Sequence, residues 1–346
     1  MKIALLNDSH FGCHNASPVH DKHIKKFFDD VFFPNRDKFD EILHLGDVFD
    51  NRKVLNVESI QSAKEYFFDR VRDYSIPMTI LIGNHDSYYK NTIKTNSPTT
   101  ILREYENIKI IDSPQEYSFN DGGTVLLCPW VCEENEEDTF NLIKNTKAKV
   151  CFGHWEISGF KFSLTSEAKE GLSRTIFDKF EAVYSGHFHT KSSIGNIHYL
   201  GCQYGLTWAD FGDRKYFHIY DTETGEIEAI ENPNKLFVKM DVFDYKNKSV
   251  EDKIVRLVVS DEISKKDISI VVEEIAKKSP ASLQVVDNTL YSNPEVEELS
   301  ENIDIDDSKK IISDYIDRAE IDDKMKESVR ALLFDSLDNA QSIIKN

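Results

Sequence analysis

The stretch Lys2-Ile3-Ala4-Leu5-Leu6-Asn7-Asp8-Ser9-His10 decides the fold. A short apolar run stops at two polar residues, and an Asp-x-His pair follows at once. This reads as a buried strand with metal-ligating side chains at its C-terminal end. The run is too short for the core of a secretion signal. Four more segments repeat the pattern. They are Gly46-Asp47-Val48-Phe49-Asp50 after an expected strand at 41–45, and Gly83-Asn84-His85-Asp86 after 78–82. Gly153-His154-Trp155-Glu156 follows 149–152, and Gly186-His187-Phe188-His189 follows 182–184.

Working outward, further strands are expected at 109–111, 124–128 and 197–200, with helices at 21–32 and 57–72. Segments 216–220 and 227–231 flank Asp221-Thr222-Glu223-Thr224-Gly225 as a hairpin. Strands alternating with helices define an α/β class, and the short links predict mixed sheets. This first unit is expected over 1–232. A small α+β module is expected at 235–290, with strands at 236–242, 254–259 and 282–286 and a helix at 264–278 capped by Ser264. Residues 291–305 read as an acidic linker. From Tyr291 onward the chain has 15 acidic and 7 basic residues, a net of −8. Two apolar stripes within 306–346 read as helices. One holds Ile311, Ile312, Tyr315, Ile316 and Ala319. The other holds Met325, Val329, Leu332, Leu333, Leu337, Ala340 and Ile344.

Strand ends share one rim in an open α/β sheet, so the five motifs converge. Carboxylate, imidazole and amide oxygen suit Mn²⁺, Fe²⁺ or Zn²⁺ better than a soft, thiolate-seeking metal. Two ions about 3.5–4 Å apart need a bridging carboxylate. Asp47, mid-series on a glycine turn, is the natural bridge. One ion is expected to take Asp8, His10 and His189, and the other Asn84, His154 and His187. Such a pair acidifies water and stabilises charge during in-line attack on phosphorus. His85 is adjacent to a ligand and is expected to donate a proton or stabilise the transition state. Asp50 and Asp86 are expected to orient imidazoles, although Asp86, like Glu156, also reads as an ordinary turn or surface acid. Tyr88 and Tyr89 suit either stacking on nucleic acid or packing. The rings of Trp130 and Trp155 are expected in the core beside the site.

Composition bounds the rest. The net charge of −19 excludes binding of nucleic acid mainly through a basic surface of this chain. Either the substrate is not a polyanion, or cations and a partner supply the positive field. Five scattered cysteines predict reduced thiols in a cytoplasmic setting rather than a disulfide framework. No apolar run approaches the roughly 20 residues that span a bilayer.

The five motifs together resemble those of the calcineurin-like metallophosphoesterases. Three segments carry a narrower likeness to SbcD-type DNA-repair nucleases, and within them to the recombination endonuclease subunits of tailed phages. They are Cys128-Pro129-Trp130-Val131-Cys132-Glu133-Glu134-Asn135, Gly153-His154-Trp155-Glu156 and Ser185-Gly186-His187-Phe188-His189-Thr190. The resemblance implies a two-sheet sandwich flanked by helices, a DNA-contacting cap at 235–290, and a C-terminal helical segment. It implies Mn²⁺-dependent cleavage of DNA, as a 3′→5′ exonuclease on duplex and an endonuclease on single strands. It also implies a homodimer acting with an SMC-like coiled-coil ATPase of the SbcC type in double-strand-break processing and recombination. The helices of 306–346 would bind the base of that coiled coil, or alternatively dock on their own catalytic domain. The archaeal and eukaryotic members usually have His where this chain has Asp50, which leaves His85 as the single non-ligand catalyst. A phosphatase or cyclic-nucleotide phosphodiesterase of the same superfamily, and a non-catalytic scaffold for an ATPase, are the competing readings.

Overall fold

The computed structural model describes residues 1–119, 123–259 and 263–287, with seven further positions between 316 and 334. Two compact units divide the chain, Met1–Ser292 and Asn293–Asn346. The first carries fifteen strands among its described residues. These are β1 (Lys2–Leu6), β2 (Glu41–His44), β3 (Met78–Leu81), β4 (Ile108–Ile111), β5 (Gln115–Ser118), β6 (Thr124–Cys128), β7 (Val150–His154) and β8 (Ala182–Gly186). There follow β9 (Ser192–Ile194), β10 (Ile197–Tyr199), β11 (Lys215–Asp221), β12 (Ile227–Asn232), β13 (Phe237–Asp241), β14 (Ile254–Val259) and β15 (Ser282–Asp287).

Two six-stranded sheets form the body, in the orders β12-β11-β1-β2-β3-β4 and β5-β6-β7-β8-β10-β9. Both are mixed, as the short links predict. β1 through β4 run parallel, while β11 is antiparallel to β1 and to β12. β6, β7, β8 and β10 run parallel, with antiparallel β5 and β9 at the edges. The period of two along a strand sets the layers. Ile3 and Leu5 of β1 face inward with Leu43 and Leu81, and meet Val125, Leu127, Phe152 and Tyr184 of the other sheet. Ala4 and Leu6 face outward and meet the helical layer. On the far side, Leu126, Cys151 and Val183 pack against Trp155, Phe160 and Phe177. The result is a two-sheet sandwich covered on both outer faces.

The structure departs from the sequence expectation in detail. β5 and β9 were not expected. Both are short, polar edge strands that lack an apolar run. The helix expected at 21–32 begins at Pro18 and opens into a wide π turn at Phe28–Phe32. The one expected at 57–72 opens likewise at Lys64–Phe68. Adjacent phenylalanines sit at both places (Phe27-Phe28, Phe32-Phe33, Phe67-Phe68), and all six are buried. A widened turn lets neighbours about 100° apart on a helix share one core; the rings of Phe28 and Phe67 stack at 4.4 Å.

Residues 237–287 form a small parallel sheet, β13-β14-β15, covered by the helix Lys265–Ala276. Ser264 caps that helix by accepting the Asp267 amide. Val238, Met240, Val255 and Leu257 pack against Val271 and Ile275. Trp208 of the sandwich meets Phe237 at 4.9 Å and carries the Arg256 guanidinium over its ring at 3.9 Å.

The expected linker at 291–305 and most of the helices expected at 306–346 lie outside the described residues. The seven positions described there, Ile316, Lys326, Glu327, Val329, Arg330, Leu333 and Phe334, are helical. Among the described residues no helix is long and apolar enough to cross a membrane. All five cysteines are unpaired and buried.

Candidate metal centre

The C-terminal ends of β1, β2 and β3 in one sheet meet those of β7 and β8 in the other. Asp8, His10 and His189 place one donor atom each within 4.8 Å of one another. Asp47, His154 and His187 form a second such group. Asn84 Oδ1 joins the second, 2.9 Å from His154 Nε2 and 3.0 Å from His187 Nδ1. The two groups meet at Asp47, whose Oδ2 lies 3.3 Å from His154 Nε2 and 3.8 Å from His10 Nε2.

Backbone shape makes this convergence possible. Asp8 (φ 49°), His10 (φ 44°), Asp47 (φ 56°) and His187 (φ 83°) all adopt left-handed backbone. Such residues cost on the order of 1–3 kcal/mol each and persist only where surroundings force them. At Gly83 a Cβ would fall 2.3 Å from the Asp47 amide nitrogen. Only glycine lets the β2 and β3 turns touch there.

Hydrogen bonds fix which lone pairs face inward. His154 Nδ1 donates to the Leu45 carbonyl at 2.7 Å, so its Nε2 is the nitrogen turned to the site. Nε2 faces two acceptors, Asn84 Oδ1 and Asp47 Oδ2. Across the site, Nε2 of His10 and of His189 lie 3.2 Å apart, with Asp8 Oδ1 4.0 Å from the first and 3.9 Å from the second. Buried lone pairs converging without enough protons repel one another, and cations relieve that repulsion. The donor set therefore fits two divalent ions. Asp8 is held by Asn7 Nδ2 at 2.5 Å and by the His187 amide. Asp47 Oδ1 accepts the His85 amide at 2.8 Å.

Electrostatics tell the same story. Burial opposes charge on His10, but Asp50, Asp47 and Asp8 outweigh it and raise its pKa to about 9. His154 is likewise raised to about 9, burial being outweighed chiefly by Asp47. Burial also disfavours the Asp47 carboxylate, yet the surrounding imidazoles hold it well below the ordinary carboxylate range. His187 and His189 are lowered, first by burial. The metal-free site thus fills part of the cations' place with protons on His10 and His154.

His85 donates from Nδ1 to the Asp50 carbonyl at 2.6 Å. Its ring meets that of His10 edge-on at 4.8 Å. Asp50 Oδ1 lies 3.2 Å from His10 Nδ1. Asp86 departs from expectation. Its two oxygens accept the backbone amides of Asp47, Gly83, Val48 and Phe49 at 2.9–3.2 Å. It orients a turn rather than an imidazole. Burial and the Asp47 charge push its carboxyl up to about 7 against those amides.

Residues 1–191 match the calcineurin-like phosphoesterase family. The chain belongs to that family. A relative of this phosphoesterase, Exonuclease subunit 1 of Enterobacteria phage T4, is 30% identical over 312 residues, covering 90% of this chain and 88% of its own. Two solved structures are far more distant. An archaeal phosphodiesterase is 12% identical with a TM-score of 0.33, covering 67% of this chain and 100% of its own. A hypothetical protein of Thermus thermophilus is 14% identical with a TM-score of 0.38, over the same shares. The family and the clustered donors together make the chain a metal-dependent phosphoesterase related to a phage exonuclease.

The sequence did not disclose the supports of this phosphoesterase site. Lys215 is buried and donates to Asp210 Oδ1 (2.5 Å), Asp213 Oδ2 (2.9 Å) and the His189 carbonyl (2.8 Å). Asp210 also accepts the Leu206 and Thr207 amides. Although Asp210 and Cys202 approach His189, the Asp210 charge is thereby already paired. His44 accepts the Gly46 amide at Nδ1 and so donates from Nε2 to Ser9 Oγ at 2.8 Å. Trp155 is buried as expected, whereas Trp130 is only half-buried, with its ring 5.2 Å from that of His187. Tyr88 and Tyr89 are exposed and meet edge-on at 4.7 Å.

Proposed function

We propose that this chain is the nuclease subunit of an ATPase–nuclease complex that processes DNA ends in double-strand-break repair and recombination. The observation that carries the reading is the extent of the likeness to Exonuclease subunit 1. It runs over 90% of this chain, well past the matched family domain. It therefore takes in 235–290, which we assign as a DNA-contacting cap beyond a nuclease domain at 1–232. Residues 291–305 are proposed as a linker and 306–346 as the segment that binds the ATPase coiled coil. A homodimer, Mn²⁺ and a cytoplasmic setting complete the proposal. The reaction is hydrolysis of DNA phosphodiesters, 3′→5′ from duplex ends and endonucleolytic on single strands.

In this reading Asp8, His10 and His189 would hold one ion and Asn84, His154 and His187 the other, with Asp47 placed between the two groups. Bound there, the cations acidify water and neutralise phosphoryl oxygens. Leu45 and Asp50 set the ring orientations of His154 and His10, leaving each Nε2 to the site. The Nδ1–H bond of His85 to the Asp50 carbonyl frees its Nε2 to exchange a proton with the departing oxygen. The net charge of −19 favours the alternative, a phosphatase or cyclic-nucleotide phosphodiesterase, unless the ATPase supplies the basic groove.

End-labelled duplex DNA tests the proposal with the chain alone and with its ATPase in Mn²⁺. Nucleotide release by the complex is expected. Robust turnover of phosphomonoesters without any DNA cleavage would replace it with the phosphatase reading.

A further inference from the structure

A cavity of about 340 Å³ adjoins the metal centre. Its walls include Trp130, Glu133, Glu136, His154, Glu156 and Leu172. His154 belongs both to this wall and to the second donor group. The Trp130 ring lies 6.0 Å from that of His154, so the cavity opens beside the half of the centre made by Asn84, His154 and His187.

The Trp130 platform is built into the fold. Its amide donates to the Ile82 carbonyl at 2.7 Å, and its own carbonyl accepts Asn135 Nδ2 at 2.9 Å. Asn135 Oδ1 in turn accepts the Cys132 amide at 2.8 Å. The loop that presents the ring is thereby tied to the end of β3, next to Asn84.

The chemistry of the lining selects the occupant. Three glutamates face the cavity and its lining holds no lysine or arginine. A phosphate is repelled there, so the phosphate of a substrate belongs on the cations and a neutral part of it in the cavity. The volume sits at the small end of ligand pockets, about 300–1,000 Å³. It has room for a nucleoside. An aromatic face stacks on any base. Carboxylates accept hydrogen bonds from the amino groups of cytosine, adenine and guanine, whereas thymine offers only its ring N3–H.

We infer that this cavity is a nucleobase subsite for the nucleotide whose phosphate is held at the metal centre, and that it favours bases bearing amino groups. The inference rests on the nuclease reading above and adds a preference that the centre itself cannot supply.

Equilibrium binding to the full chain in Mn²⁺ tests it, with deoxyribose 5-phosphate and the four deoxynucleoside 5′-monophosphates as probes. Deoxyribose 5-phosphate is expected to bind only when Mn²⁺ is present. The guanine, adenine and cytosine nucleotides are expected to bind at least about tenfold tighter than it, the worth of one good stacking or hydrogen-bonding contact. Thymidine monophosphate should fall between. Trp130→Ala should bring all four down to the level of deoxyribose 5-phosphate. Glu133→Ala, at an exposed position where folding is not at stake, should narrow the gap between the amino-bearing bases and thymine. If deoxyribose 5-phosphate fails to bind with Mn²⁺, the metal-centre reading falls. If it binds and the four nucleotides bind no tighter, or bind tighter but equally in Trp130→Ala, the subsite is overturned while the centre stands.

Discussion

The Asp86 carboxylate accepts the backbone amide of Asp47 at 2.9 Å, thirty-nine residues away in sequence. Three more amides converge on the same carboxylate, so one acid fixes the turn that aims the shared oxygen of Asp47. Asp86→Asn would turn an amide NH₂ toward backbone donors. Each hydrogen bond to a charged group is worth about 1.5–3 kcal/mol. With at least two of the four lost, a destabilisation of about 3 kcal/mol or more is expected in urea unfolding of the metal-free chain at a pH well above 7, where the Asp86 carboxyl is ionised. A change below about 1 kcal/mol, the size of one neutral hydrogen bond, would show that the turn holds itself.

His85 comes within donor reach of His10 and Asp47, but its Nδ1 is held by the Asp50 carbonyl and it is assigned to neither ion. His85→Ala is therefore expected to leave Mn²⁺ affinity nearly unchanged by calorimetry. DNA cleavage should fall about 10²–10⁴-fold, the usual worth of a positioned acid–base group. Full activity in this variant would remove His85 from the mechanism.

Metal binding should depend steeply on pH. His10 and His154 have pKa values of about 9 in the metal-free chain, and each must give up its proton to bind an ion. Below pH 9 protons compete, so affinity rises with pH. The expected slope is up to about tenfold per pH unit for each ion between pH 7 and 9, flattening above 9. Calorimetry in buffers of different ionisation enthalpy reads the released protons directly. Affinity flat from pH 7 to 9 would contradict the protonated metal-free site.

Deleting residues 304–346 is expected to abolish co-purification with an SbcC-type ATPase while leaving Mn²⁺ stoichiometry intact. Undiminished association would place the ATPase contact elsewhere and favour docking of the helices on their own chain.

Much of the site was legible because its chemistry is punctuated. Each motif follows an apolar strand, and it is the five together, in one order, that mark the cluster, whereas Asp8-x-His10 alone would say little. The sandwich was legible for the same reason, since strands such as β1 and β6 are bounded by abrupt polarity changes. What stayed hidden depends on distance. Lys215 reads as a polar residue at a strand start, and nothing local says that Asp210, Asp213 and the His189 carbonyl will surround it. Asp86 reads as a turn acid, and its four amide partners come mostly from another loop. β5 and β9 pair through their backbones, which no side-chain pattern records. Trp130 was expected in the core, but the turn braced by Asn135 presents one side of it to a cavity.

The central claim is a pair of ions sharing Asp47, and electron paramagnetic resonance of the Mn²⁺-loaded chain, titrated to saturation, tests it most directly. Two Mn²⁺ per chain with a spin-coupled signal are expected, and Asp47→Ala should abolish the coupling. One Mn²⁺ per chain, or two that give only the uncoupled six-line signal, would contradict it.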